Sequence, residues 1–362
     1  MRSSAQFLNP AEAARRLGVS AKALRLYEQR GLVAPGRTAA GWRAYGPSEM
    51  ARAAEIVALR ALGLSLAQVA RVLGGDAQGL EPALAAHQAA LEAQVRRLAG
   101  AVEKVRGLRA DLARGQPPAA GELARLLAPP AGLSAAFDLP WPWGGERFEL
   151  HDIRPLNFIT GPLGCGKTRL ALRLAETLAG AVFLPMDRAA DGGMDAARAA
   201  LDADPALKAR VERALAWLVE DGATESEDLV VLLVGLEAEG PAVLVVDMVE
   251  QGLDQAAQEA LIAHLRRRGP GARPLFLLTR SNAILDLAAV GVDEAIILCP
   301  ANHSPPTRIA PYPGAPGYEA VATCLASPEV RARTEGMRAW RPPFSHGEKE
   351  GPVREANGRM RG

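Results

Sequence analysis

Eight consecutive residues of this 362-residue chain have the types and spacing to hold a nucleoside triphosphate: Gly161-Pro162-Leu163-Gly164-Cys165-Gly166-Lys167-Thr168. Glycines let backbone N–H groups approach phosphate oxygens, and a helix starting at the end of such a loop adds positive potential. Lys167 then reaches the β- and γ-phosphates, and the Thr168 hydroxyl binds Mg²⁺. The flanks are the ones this chemistry needs. LNFIT before the loop reads as a short apolar strand, and RLALRLAETLAG after it as an amphipathic helix. Gly161, Gly164, Cys165, Gly166, Lys167 and Thr168 are therefore expected to cradle ATP–Mg²⁺. Cys165 reads as a small side chain in a tight loop; a thiol of lowered pKa that acts as a redox switch is the alternative.

A phosphate loop needs an acidic partner for the metal, at the end of a neighbouring strand. Strand candidates follow at 181–185, 242–247, 275–279 and 295–299, with helices between them, which predicts a mainly parallel sheet covered on both faces. Asp247 closes the second of these and is the expected second Mg²⁺ ligand. Arg280 and Asn282 follow the third strand, whose end faces the nucleotide crevice in an open parallel sheet, so both are candidate γ-phosphate sensors. Glu250 either activates water or sits on the surface as a helix cap. Phe148, Trp141 and Trp143 precede the loop; one of them stacks on the base, or all pack against the preceding linker.

The front of the chain carries a different chemistry. Residues 1–75 hold eleven lysines and arginines against four acids, a net +7 on a chain whose total is +1, which fits phosphate binding with counterion release. Residues 10–17 read as a short helix, and Ser20 caps a second one that runs to Gly31, with Leu24 and Tyr27 on its inner face. This pair reads as a helix-turn-helix. Residues 37–45 read as a two-stranded wing with Gly41 at its tip. Two further helices, from Ser48 and to Leu73, close the back of this domain.

LRLYEQRGLVAP, GWRAY and ALGLSLAQVARVL together resemble the MerR family of bacterial transcription regulators over about the first 75 residues. Arg25, Tyr27, Glu28, Gly31, Leu32, Pro35, Arg37, Gly41, Arg43, Tyr45, Gly63 and Ser65 carry the match, and Trp42 stands where the wing usually has tyrosine. The resemblance implies DNA contacts from Lys22, Arg25 and Tyr27 on the second helix, and from Arg37, Arg43 and Tyr45 on the wing. It also implies a two-fold symmetric promoter site, distortion of the DNA, and RNA polymerase as a partner. Further on, DMVEQGLDQAAQEAL resembles the Walker B and D-loop of ABC-type ATPases through Asp247 and Gly252-Leu253-Asp254. Met248 stands where that family has its catalytic glutamate, Thr279-Arg280-Ser281-Asn282 where it has a switch histidine, and ATESEDL at 223–229 is at best a degenerate signature motif.

Between these parts, apolar residues from Leu80 to Leu112 recur mostly at spacings of 4, 3 and 4, which predicts one long helix of about 45–50 Å with a seam. A stripe of that length needs a partner helix, and the resemblance implies an antiparallel homodimer through residues 80–112. His87 lies on the seam with no cysteine or second histidine nearby, which favours a packed interface side chain over a metal ligand. The three cysteines, Cys165, Cys299 and Cys324, have neither disulfide-framework nor zinc-ligand spacing. No apolar run is long enough to span a bilayer, and the N-terminus has no signal-peptide core. The expected setting is cytoplasmic, away from membranes.

The expected fold is thus an α winged helix-turn-helix (1–75) and a long coiled-coil helix (76–114), then a linker (115–145) and an α/β P-loop NTPase domain with a mainly parallel sheet (146–338). A disordered tail (339–362) completes it. The expected function is a DNA-binding regulator whose rear domain binds ATP–Mg²⁺ and modulates promoter binding. The alternative is a DNA-associated ATPase acting on DNA or a partner protein, with the winged helix as its targeting module.

Overall fold

The structure, a computed structural model, describes residues 7–116, 133–190, 192–269 and 271–332. The expected tail and most of the linker lie outside the described residues.

Local signals set the front elements. Helix α1 (Pro10–Leu17) starts in a capping box, where Asn9 Oδ1 accepts from the Glu12 amide and Glu12 Oε2 from the Asn9 amide, both at 3.0 Å. Helix α2 (Ala21–Gln29) starts at Ser20, whose Oγ accepts from the Ala23 amide at 3.1 Å. Strands β1 (Gly36–Arg37) and β2 (Arg43–Ala44) form a short antiparallel ladder. Helices α3 (Pro47–Ala61) and α4 (Leu66–Leu73) close a core of Leu24, Tyr27, Tyr45, Ile56, Leu64 and Val69. The cap of α3 is Gly46, whose amide donates to Glu49 Oε2 at 2.9 Å.

Helix α5 (Leu80–Ala113) has 34 residues and is about 51 Å long at 1.5 Å per residue. Its apolar row faces solvent: Val95 is 64% and Leu98 60% exposed, and Leu84, Leu91, Val102, Val105 and Leu112 are exposed with them.

The rear domain begins earlier than the sequence pattern indicates. Strand β3 (Ala135–Asp138) lies inside the stretch read as linker and pairs antiparallel with β4 (Arg147–Leu150), with Phe137 opposite Phe148. Its alternation of buried and exposed residues is only four residues long and is masked by the prolines and glycines that follow.

Strands β5 (Leu156–Thr160), β6 (Ala181–Leu184), β7 (Val243–Val246), β8 (Leu275–Leu278), β9 (Glu294–Leu298) and β10 (Thr307–Ile309) form one sheet in the order β10-β9-β5-β8-β7-β6. All neighbours are parallel except β10 against β9. Side chains of a strand alternate between faces, so each buried strand feeds two cores. Val243 and Val245 meet α6 (Lys167–Thr177) and the β3–β4 pair, whereas Leu244 and Val246 meet α8 (Pro205–Glu220), α9 (Glu227–Glu237) and α10 (Gln255–Arg266). Helix α7 (Gly193–Ala203) packs beside α8 and α9, and α11 (Tyr318–Cys324) and α12 (Pro328–Ala332) complete the described chain. None of the described helices is long and apolar enough to cross a membrane.

The two domains touch. Asp221, at the C-terminal end of α8, is buried and accepts from Arg60 Nη1 at 2.6 Å, from Arg60 Nη2 at 3.0 Å and from the Leu66 amide at 2.7 Å. Trp217 Nε1 donates to Gly63 O at 3.3 Å, and the guanidinium of Arg267 stacks on the same indole at 4.4 Å. Ser65 Oγ donates to Glu220 Oε2 at 2.7 Å, and Lys22 pairs with Glu259 at 2.9 Å.

Candidate functional site

The loop between β5 and α6 brings the expected cradle together. Gly166 takes φ +96° and caps α6, and a Cβ there would lie 2.7 Å from the Trp143 ring, so only glycine fits. At Gly161 a Cβ would collide with the carbonyl of Cys299 and lie 2.7 Å from Cys165 Sγ. Lys167 is buried and its ammonium donates to Gly161 O and Pro162 O, each at 2.8 Å. Its tip therefore lies inside the curl of the loop. Thr168 Oγ1 donates to Asp247 Oδ2 at 2.8 Å, although 79 residues separate the two. Burial pushes the Asp247 carboxyl above its usual range, opposed by the Thr168 hydroxyl and the Lys167 ammonium. A hydroxyl and a carboxylate side by side at a helix N-terminus make an oxygen donor set that suits Mg²⁺, and the glycine walls leave the backbone amides open to phosphate.

Cys165 and Cys299, 134 positions apart in sequence, meet under this loop. The Cys299 thiol and the nearby Lys167 ammonium pull the Cys165 thiol down, while Cys299 is pushed up by the same contact and by burial. Both side chains are buried.

Directly after Asp247 the backbone turns through Met248 at φ +43°, in the left-handed region. Arg188 holds that turn. Its guanidinium donates to Asp247 O and Val249 O at 3.2 Å, and to Met248 O and Gln251 O at 3.4 Å. Burial pulls its pKa down, against the carboxylates of Asp228, Glu250 and Asp247. Sequence reading missed Arg188: it is a lone arginine in a polar stretch, and nothing local tells it from a solvated one. Arg188→Ala would leave the carbonyls of Pro185, Asp247, Met248, Val249 and Gln251 short of a donor. It is expected to lower stability by about 2–4 kcal/mol and to weaken Mg²⁺-dependent nucleotide binding, read by thermal unfolding and calorimetry.

Glu250 is buried rather than on the surface, which removes the surface-cap alternative. Its Oε1 accepts from the Arg280 amide at 2.9 Å, because the 247–253 turn lies against the end of β8. Strand β8 runs between β5 and β7, so Arg280 leaves the sheet between the phosphate loop and Asp247. Asn282 is placed elsewhere. It is exposed and lines a gap shared with Ser20, Ala21 and Lys22 of the front domain. Of the three aromatics, Trp143 and Phe148 are core residues, whereas Trp141 is 69% exposed over the Arg169 guanidinium at 5.0 Å. Among the described residues no group of histidines, cysteines or carboxylates forms a metal cluster, His87 included.

The front residues divide. Arg25 and Arg37 are exposed, and Arg37 Nη1 donates to Gly41 O at 2.9 Å at the tip of the ladder. Tyr27 and Tyr45 are corrected: both rings are buried in the domain core, and the Tyr45 hydroxyl donates to Glu28. Glu28 also pairs with Arg43 at 2.6 Å, so Arg43 is partly engaged within the domain. The motif places these residues along the chain but not the direction each side chain takes.

Comparisons with known proteins agree with the front domain. The family model described as MerR HTH family regulatory protein matches residues 8–75. A probable heavy metal-dependent transcriptional regulator of Haemophilus influenzae is 34% identical over 105 residues, which cover 27% of this chain and 82% of that protein. Among solved structures, a MerR family regulator lacking the sensor domain and bound to promoter DNA aligns with 34% of this chain and 98% of its own, at 21% identity and a TM-score of 0.23. An ATP-binding cassette of an ABC transporter in its ADP conformation aligns with 56% of this chain and 98% of its own, at 13% identity and a TM-score of 0.33. With a helix-turn-helix built on a fully formed core and a relative matched over most of its length, the chain belongs to the MerR family of regulators.

Proposed function

We propose that this chain is a dimeric, promoter-binding regulator whose rear domain binds ATP–Mg²⁺ and modulates DNA binding through it. The observation that carries the reading is the Thr168–Asp247 pair beside the buried Lys167, in a chain whose front domain is of the MerR type. Lys167 and the loop amides would hold the β- and γ-phosphates, Thr168 and Asp247 the Mg²⁺, Arg280 the γ-phosphate, and Trp141 the base. The metal supplies charge neutralisation between the phosphates. Glu250 is the candidate to activate water, and its bond to the Arg280 amide fits slow turnover better than rapid hydrolysis.

Lys22, Arg25 and Arg37 are the candidate DNA contacts, with Arg43 available once it leaves Glu28. The exposed apolar row of α5 fits burial against the same helix of a second copy, which would set two reading heads for a two-fold symmetric site. RNA polymerase is the partner this role implies. A footprint on the DNA upstream of the chain's own coding region tests the reading. Protection of a two-fold symmetric segment is expected; equal protection of random duplex would favour an ATPase that uses the front domain only for targeting.

A further inference from the structure

One side of the helix that must enter a major groove is already covered, while Arg25 on the same helix stays exposed. Lys22 and Leu26 of α2 and Arg30, its C-cap, form one i, i+4, i+8 row, and the rear domain lies along it. Lys22 pairs with Glu259 of α10 at 2.9 Å, Leu26 borders an interdomain cavity of about 710 Å³, and Arg30 Nη2 donates to Asp221 O at 3.2 Å. The Arg30 guanidinium also occupies the space that a side chain at Gly222 would take. At the N-terminal end of α2, Ser20, Ala21 and Lys22 line a gap of about 380 Å³ together with Asn282 and Leu285.

A B-DNA major groove is about 12 Å wide, and an α-helix with its side chains nearly fills it, so a helix reading base edges has no room for a second helix along the same row. We infer that the rear domain masks the Lys22–Leu26 side of the DNA-reading helix α2, so the docked arrangement is a closed state that must open before the chain grips DNA. This rests on the DNA-binding reading above. The chemistry of the mask resembles that of its competitor, because carboxylates of Glu259 and Asp221 take the cations Lys22 and Arg60 as phosphates would.

The covering segments also issue from the nucleotide site. Helix α10 starts just past the Asp247 turn, and Ser281, next to Arg280, donates from Oγ to Gln258 Oε1 at 2.6 Å, one residue before Glu259. A shift at the ends of β7 and β8 therefore has a hydrogen-bonded route to the Lys22–Glu259 contact. DNA affinity of such a two-state chain is reduced by the fraction that is closed.

The test compares the full chain with Glu259→Lys and Asp221→Asn, with Glu176→Lys as a control for added positive charge at an exposed position of α6. Binding to the upstream fragment is measured by fluorescence anisotropy at fixed salt. The Leu66 amide, whose acceptor is Asp221 Oδ1, is followed by hydrogen exchange with and without DNA. The masking account expects at least tenfold tighter binding for both interface variants than for wild type and the control, and faster Leu66 exchange in wild type once DNA is added. Unchanged affinity in both interface variants overturns the mask, as does Leu66 exchange that DNA does not alter. Binding by none of the four proteins overturns the DNA-binding reading and the mask with it.

Discussion

Lys167→Ala is expected to weaken ATP–Mg²⁺ binding by at least about 100-fold while leaving the fold intact. The lysine tip sits inside the curl of the phosphate loop on two carbonyl oxygens, a geometry from which it turns to phosphate oxygens with little movement. A hydrogen bond to a charged group contributes about 1.5–3 kcal/mol, and two of them correspond to more than about two orders of magnitude in affinity. Titration calorimetry with ATP–Mg²⁺ checks this, with circular dichroism as the control for folding. A change of less than about threefold would mean that the loop does not hold the triphosphate. The variant is also expected to lose any response of promoter binding to nucleotide, since the ligand then distinguishes no states.

The second large effect concerns the long helix. Val95 and Leu98 are exposed in the single chain, and their row continues along α5. Fully burying a leucine or valine contributes about 1.5–3 kcal/mol, and a symmetric pair counts each change twice. Leu98→Glu is therefore expected to raise the dimer dissociation constant by roughly 10²–10⁴-fold, since a tenfold change is about 1.4 kcal/mol. Analytical ultracentrifugation reads the first consequence. Operator binding is expected to fall with it, because one reading head engages only half of a two-fold site. A Leu98→Glu chain that remained dimeric would place the dimer contact elsewhere.

How much of this could be read from the residues depends on how local each signal is. The phosphate loop was legible because all of its chemistry lies in eight consecutive positions, and Asp247 because a carboxylate at a strand end is what such a loop requires. The cap at Ser20 was local for the same reason. Arg188 was not legible, since its acceptors are carbonyls of a turn some 60 residues away. The Arg60–Asp221 contact spans 161 positions between two charges that each look solvated in sequence. Tyr27 and Tyr45 show the opposite failure. Their positions match the family pattern, but burial decides what they touch, and a pattern of letters carries no burial. Strand β3 was hidden because four residues are too few for alternation to stand out beside a proline-rich neighbour.

The central claim is that one chain couples a triphosphate cradle to a DNA-reading head. It is tested most directly by titrating this 362-residue chain onto its upstream DNA fragment in the presence and absence of saturating ATP–Mg²⁺, at one salt concentration. The account predicts a change in apparent Kd of at least about fivefold, a typical coupling of 1 kcal/mol or more, and its loss in Lys167→Ala. Identical binding curves with and without nucleotide, in a protein shown by calorimetry to bind it, would contradict the coupling.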